Sequence, residues 1–266
     1  MTIVIGINFG AYVVFAADTR ATHPNGNVAN DDCEKIQRTT IGLIAGAGSF
    51  DLVNRVNNRL QKEKVTDINQ ILGIIEDERN QILSMIKKEK LRYPNKQDVE
   101  NTNWICSYPT IDDGKHKLIL CKISIVGDGL EPYRERNLSK KSSPGQYFVI
   151  MPHEVNKEYE QQGQYFKKKF EDAIFFHLHL STMFKNPQEV FYGLENLSLE
   201  IAQLIRSLYY DILLQIQPVP SISPHCQIGV HTFKGTYISP ILNTTDVAFK
   251  DKLSVFYDEI RKLYST

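Results

Sequence analysis

Within the first fifty residues lie a hydroxyl, an acid, a lysine and a glycine turn: Thr2 directly after Met1, then Asp18, Lys35 and Gly48. Methionine is generally removed ahead of a residue as small as threonine, so Thr2 could present its hydroxyl and a free α-amine together. That amine has a reference pKa of about 7.7–8.0, which suits a general base at neutral pH, and it sits on the same residue as the nucleophile it would activate. A nearby cation would hold the amine's pKa down and a carboxylate would hold the cation, roles that Lys35 and Asp18 fit. Gly48, at a turn that opens a helix, could aim a backbone N–H at a developing oxyanion.

The elements that must position these groups follow from periodicity. Thr2 to Asn8 and Tyr12 to Asp18 are short β-branched runs around Phe9-Gly10-Ala11, a β-hairpin pattern. Thr22 to Asn27 is rich in turn formers, and Lys35 to Gln37 and Ile41 to Ala45 read as a second pair of strands. Helices are expected over Phe50 to Lys64 and Asp67 to about Leu91, the latter capped by Thr66 or Asp67 and striped by Ile68, Ile71, Leu72, Ile75, Ile82 and Ile86. Asn95 to Asn103 reads as a connector. Strands follow at Trp104 to Tyr108 and Lys117 to Ser124 around Asp112-Asp113-Gly114. Val126 to Gly145 reads as irregular and Gln146 to Met151 as a strand. Two long helical regions, Val155 to Phe184 and Pro187 to Leu214, precede a hairpin, Gln227 to Phe233 with Thr236 to Ser239, and a tail helix, Val247 to Tyr264. Hairpins alternating with helix pairs favour antiparallel sheets covered by helix layers over a doubly wound parallel sheet. Residues 1–266 are expected to form a single domain, with a carboxy-terminal helical extension from about residue 247.

Composition removes several classes of function. Lys plus Arg and Asp plus Glu each number 31, so no overall field draws the chain to nucleic acid or an anionic membrane. Lys167-Lys168-Lys169 lies at helical spacing among apolar residues and reads as a solvated face. Cys33, Cys106, Cys121 and Cys226 form no CxxC pair, and no amino-terminal targeting pattern precedes them, which points to a reducing, cytoplasmic setting. His177 and His179 have no third ligand at useful spacing, so neither a metal nor another cofactor is expected.

The runs Thr2-Ile3-Val4, Ala16 to Thr22, Asn30 to Ile36 and Ala45 to Gly48 resemble, in order and spacing, the amino-terminal part of proteasome β-type subunits and their bacterial relatives. These belong to the N-terminal-nucleophile (Ntn) hydrolase superfamily. The resemblance implies an α+β fold, a four-layer αββα sandwich of antiparallel sheets. It implies Thr2 as nucleophile, Asp18 as the acid, Lys35 as the lysine that tunes the amine, and Gly48 as oxyanion donor. Ala21, Cys33, Gly46 and Phe50 fall near positions that line the family's first specificity pocket, which Phe50 would narrow. The resemblance fades after Trp104. The family's Gly-Ser-Gly turn has no match in Ser142 to Tyr147, and of its later Arg-Asp and Ser-Gly-Gly pattern only Asp211 and Ser223 are candidates.

The expectation is thus a threonine-type peptidase that hydrolyses peptide bonds in peptides or unfolded proteins, assembled as a homo-oligomeric ring, with any ATPase partner unspecified. Two alternatives stand beside it: a non-catalytic ring subunit, and an Ntn amidohydrolase acting on a small amide.

Overall fold

The computed structural model describes residues 2–22, 28–88, 94–124, 138–141, 145–151, 159–181, 186–209, 219 and 221–265. The first hairpin forms as its alternation requires: β1 (Val4–Asn8) pairs antiparallel with β2 (Tyr12–Asp18), Val4 opposite Ala17. This hairpin is the centre of one sheet. β10 (Tyr147–Ile150) adds to the free side of β1, and β11 (His225–Thr232) adds to β2. β12 (Gly235–Ile238) and the short β13 (Leu242–Asn243) both pair with β11. The second sheet runs β5 (Ile36–Arg38), β6 (Leu43–Ala47), β7 (Asn103–Asp112), β8 (Lys115–Ser124) and β9 (Leu138–Lys141), all antiparallel. A two-stranded ribbon, β3 (Ala21–Thr22) with β4 (Val28–Asn30), lies beside them.

Strand alternation divides the buried side chains into three layers. Ile3, Ile5, Ile7, Val14 and Ala16 face away from the second sheet, onto α4 (Glu160–Ser181), α5 (Pro187–Tyr209) and α6 (Phe249–Lys262). Val4, Val13, Phe15 and Ala17 face inward and meet Leu43, Ala45, Ala47, Ile105, Leu118 and Leu120 between the sheets. On the far side, Ile44, Trp104, Cys106 and Cys121 pack under α1 (Phe50–Lys62) and α2 (Ile68–Lys87). The result is the four-layer αββα sandwich.

The helix starts have local causes. Ser49 caps α1 by accepting from the Leu52 N–H, and Asp67 caps α2 by accepting from Asn69 and Gln70. α6 turns Phe249, Leu253, Phe256, Tyr257 and Ile260 onto the chain's own helix layer, where Ser198 and Tyr257 share a buried hydrogen bond of 2.6 Å.

Several boundaries differ from the sequence reading. The stretch Asn95 to Asn103 is not a bare connector: it holds a short helix, α3 (Lys96–Glu100), closed by a reciprocal capping box between Asn95 and Asp98. β7 runs on through Pro109, past Tyr108, to Asp112; beyond Cys106 it pairs with β8 alone, and Pro109 stands opposite Leu118 on what is there an edge. The region expected to be irregular contributes β9; its residues 125–137 and 142–144, which include Ser142 and Ser143, lie outside the described residues. Cys106 and Cys121, distant in sequence, stand directly opposite across β7 and β8 as free thiols. Lys167, Lys168 and Lys169 are exposed on α4, as a solvated face requires.

Candidate functional site

Thr2 precedes β1 at the end of the hairpin, and its backbone is fixed from behind by Asp18, the last residue of β2. One Asp18 carboxylate oxygen accepts from the Ile3 N–H at 2.8 Å; the other accepts from Arg20 N–H at 3.1 Å and Ser223 N–H at 3.4 Å. Asp18 is fully buried, and burial pushes its pKa up to about 6, against the opposing charge of Lys35 and the backbone donors. The group is therefore an anion at neutral pH held in a low-dielectric position.

Lys35 reaches the same point from the segment before β5. Its Nζ donates to Thr2 Oγ1 at 2.7 Å and to the Arg20 carbonyl at 2.8 Å. Burial lowers its pKa, the Asp18 charge opposes that shift, and burial prevails. No direct ion pair joins the two among the described residues, so the carboxylate acts on the ammonium through space while its oxygens hold backbone. Gln227 of β11 supplies the clamp: its side-chain oxygen accepts from the Lys35 N–H at 3.2 Å and the Ile36 N–H at 2.9 Å. Gln227 lies 192 residues from Lys35, and no local sequence signal marks it.

Gly48 follows the last residue of β6 with φ +135, in the region that favours glycine. A Cβ here would meet Thr102 Cα at 2.5 Å, so the turn needs glycine for space as well as for conformation. Thr102 locks the turn: its Oγ1 accepts from the Ser49 N–H at 2.9 Å and donates to the Asp98 carbonyl at 2.9 Å. α3 thus has a purpose, because it carries Asp98. The Gly48 N–H makes no hydrogen bond among the described residues, beside the amino-terminal end of α1, where partial positive charge gathers.

These groups open on one cleft, with about 510 Å³ of free space including its mouth. Thr2, Lys35 and Gly48 line it, as do Ala21, Cys33, Gly46 and Phe50, with Phe50 half-exposed. At Gly46 an added Cβ would lie 2.8 Å from Trp104 and 2.9 Å from Val53, so the wall between β6 and α1 has no room for a side chain. Burial raises the Cys33 thiol's pKa, keeping it protonated at neutral pH. Arg20 pairs with Asp31 through contacts of 2.5 and 3.1 Å, which lower the Asp31 pKa. Asp18 does not line the cleft but stands behind its wall. Ser223 is buried beside Asp18 through its backbone N–H, while its Oγ accepts from the His225 N–H at 2.9 Å. Asp211 and Met1 lie outside the described residues. Sequence reasoning missed Gln227, Thr102 and the Arg20 carbonyl.

Chemically, the arrangement presents a hydroxyl polarised by a buried lysine, a buried anion that anchors it, and an unpaired N–H across one opening. No group of three or more His, Cys, Asp or Glu side chains among the described residues is placed to hold a metal ion. No helix among them is long and apolar enough to cross a membrane.

No protein-family model matches the chain, and no curated protein sequence matches it. Its structure is similar to that of a Gly-1 mutant of Anbu from Hyphomicrobium sp. strain MC1, with a TM-score of 0.51 and 16% sequence identity, over 100% of this chain and 98% of that one. At that identity the likeness shows the fold: the chain has the Ntn-type αββα sandwich.

Proposed function

We propose that the chain is a threonine-type peptidase, resembling proteasome β subunits, in which release of Met1 frees the Thr2 α-amine. The observation that carries this reading is the 2.7 Å contact between Lys35 Nζ and Thr2 Oγ1 at a cleft that Gly48 also lines.

In the freed chain Thr2 Oγ attacks the scissile carbonyl carbon, and its proton passes to the α-amine. The tetrahedral oxyanion is met by the Gly48 N–H. As the C–N bond breaks, the amine returns that proton to the leaving nitrogen, leaving an ester on Thr2. Water then attacks the ester, releasing the acid and restoring the hydroxyl. Lys35, its proton affinity reduced by burial, keeps Oγ polarised and oriented; Asp18 keeps Lys35 and the Thr2 backbone in place.

Peptides or unfolded proteins are the substrates of this reading, and a ring of identical chains is its assembly. Exposed Phe176 and Tyr192, which line one cleft on the α4–α5 layer, support the assembly, since apolar side chains clustered at a surface favour a covering partner. The four free cysteines support a reducing, cytoplasmic setting. The test is amino-terminal mass spectrometry with a peptide-hydrolysis assay: a chain beginning at Thr2, active as such and inactive as Thr2→Ala, is expected. Retained Met1, or activity unchanged in Thr2→Ala, would contradict the proposal.

A further inference from the structure

Alternation along β11 sends Cys226, Ile228 and Val230 to the helix layer and Gln227 into the layer between the sheets. Its surroundings there are apolar: Ala17 stands opposite it on β2, and a Cβ on Gly229, two residues along the same face, would meet Ile36 and Leu43 at 3.0 Å. Gln227 is 2% exposed, and a carboxamide so placed is costly unless paired. Its pairing is specific, since one oxygen takes two consecutive backbone N–H groups, Lys35 at 3.2 Å and Ile36 at 2.9 Å.

Those two donors stand where placement matters most. Thr2 and Asp18 belong to the first hairpin, in one sheet, whereas Lys35 leads into β5, an edge strand of the other. The 2.7 Å contact between Lys35 Nζ and Thr2 Oγ1 therefore joins two sheets. Most of the layer between them is made by side chains such as Val13, Phe15, Leu43 and Leu120, whose apolar contacts carry no direction. Hydrogen bonds supply the direction at the lysine. Ahead of it the Cys33 N–H donates to the Thr19 carbonyl at 2.9 Å, and Gln227 fastens the lysine itself and the residue after it. The fastening is also uncharged: Asp18 already opposes the burial that lowers the Lys35 pKa, and a neutral acceptor adds nothing to that opposition.

We propose that Gln227 is a positioning residue, which sets through the Lys35 and Ile36 backbone where the Lys35 ammonium meets the Thr2 hydroxyl. The consequence for rate rests on the peptidase reading, but the placement of Lys35 is measurable without turnover. A shift of about 1 Å imposed by a residue outside the chemistry can cost about 10²-fold in rate.

The experiment has two arms. One measures kcat and KM for peptide hydrolysis, and the other follows the Lys35 titration by NMR of ¹³Cε-labelled lysine, assigned by the resonance missing from Lys35→Ala. Gln227→Leu removes the acceptor. It should lower kcat by about 10- to 100-fold with KM within about 2-fold, and move the Lys35 titration upward, toward that of an ordinary lysine, as the ammonium leaves its buried place. Gln227→Glu returns an oxygen at the same reach and should recover most of the lost kcat. Thermal melting shows which variants are folded, and Gln227→Asn, whose acceptor falls one methylene short, is read in place of a Gln227→Leu chain that does not melt cooperatively. In a folded variant, an unmoved Lys35 titration, an unchanged kcat, a loss confined to KM, or a kcat loss that Gln227→Glu does not recover would overturn the positioning role. A shifted Lys35 titration in a protein that hydrolyses no peptide even with Gln227 in place would uphold the placement and overturn the peptidase. Neither hydrolysis nor a shifted titration would overturn both.

Discussion

Thr2 and Ser107 each place a buried hydroxyl beside a basic side-chain nitrogen, Lys35 Nζ at 2.7 Å and the His231 ring at 2.9 Å. By residue type alone, the serine and histidine are the more familiar catalytic pair. Ser107 of β7 and His231 of β11 join one sheet to the other, and the Ser107 hydroxyl also accepts from the Leu43 N–H at 3.2 Å. Burial pushes the His231 pKa down to about 4, with no carboxylate beside it to oppose the shift, and neither residue lines the cleft. A neutral imidazole there holds a hydroxyl in place. Lys35, by contrast, is supported by a buried carboxylate and opens onto free space beside an unpaired N–H. Access and electrostatic support, more than residue type, single out Thr2 over Ser107 as the proposed nucleophile.

Substitutions can break that contrast. Lys35→Ala is expected to reduce peptide hydrolysis by about 10²–10⁴-fold, the range for a lost proton-transfer or orienting group, with Lys35→Arg failing to rescue because guanidinium neither fits nor shares a lysine's shifted pKa. Initial-rate kinetics on a chain beginning at Thr2 check this. Gly48→Ala comes next, with a loss of about 10²-fold, because the Cβ clash with Thr102 moves the proposed oxyanion donor; the same variant should lose about 1–3 kcal/mol of stability in urea titration. Ser107→Ala should leave the hydrolysis rate within about 2-fold and cost about 1–3 kcal/mol, since it leaves the buried Leu43 N–H unpaired. A large rate loss in Ser107→Ala would erase the distinction between the two hydroxyls.

pH sharpens the contrast further, because the two clusters have opposite linkage. Asp18 has a folded pKa of about 6, above its ordinary value, so between about pH 4 and 6 the folded chain holds the extra proton and stability falls as pH rises. His231 has a folded pKa of about 4, below its ordinary value, so between about pH 4 and 6.5 the unfolded chain holds the extra proton and stability rises with pH. His231→Gln should therefore remove a positive slope in stability against pH, read from urea midpoints across that range. Of these two groups only Asp18 bears on activity: its protonation near pH 6 should add a loss of rate to the one that protonation of the Thr2 α-amine causes, and His231→Gln should leave the acid limb in place.

Much of the site is legible in the sequence. Thr2, Lys35 and Gly48 meet at one cleft because the hairpin β1–β2 and the pair β5–β6 each carry local signals, and the residues that matter sit at their ends. What stays hidden depends on distant pairing. Gln227 arrives from β11 to hold Lys35, and Thr102 arrives after α3 to hold Gly48; neither carries a local pattern that points to its partner. The capping box at Asn95 and Asp98 is readable in principle, but a helix as short as α3 has too few residues to show a periodicity.

The central claim, that Thr2 and not Ser107 is the reactive hydroxyl, is tested most directly by treating the protein with an electrophilic peptide β-lactone and locating the adduct by peptide mass spectrometry. The account predicts one acyl group on a chain that begins at Thr2, carried on Thr2 and absent in Lys35→Ala. An adduct on Ser107, or an unlabelled chain still bearing Met1, would contradict it.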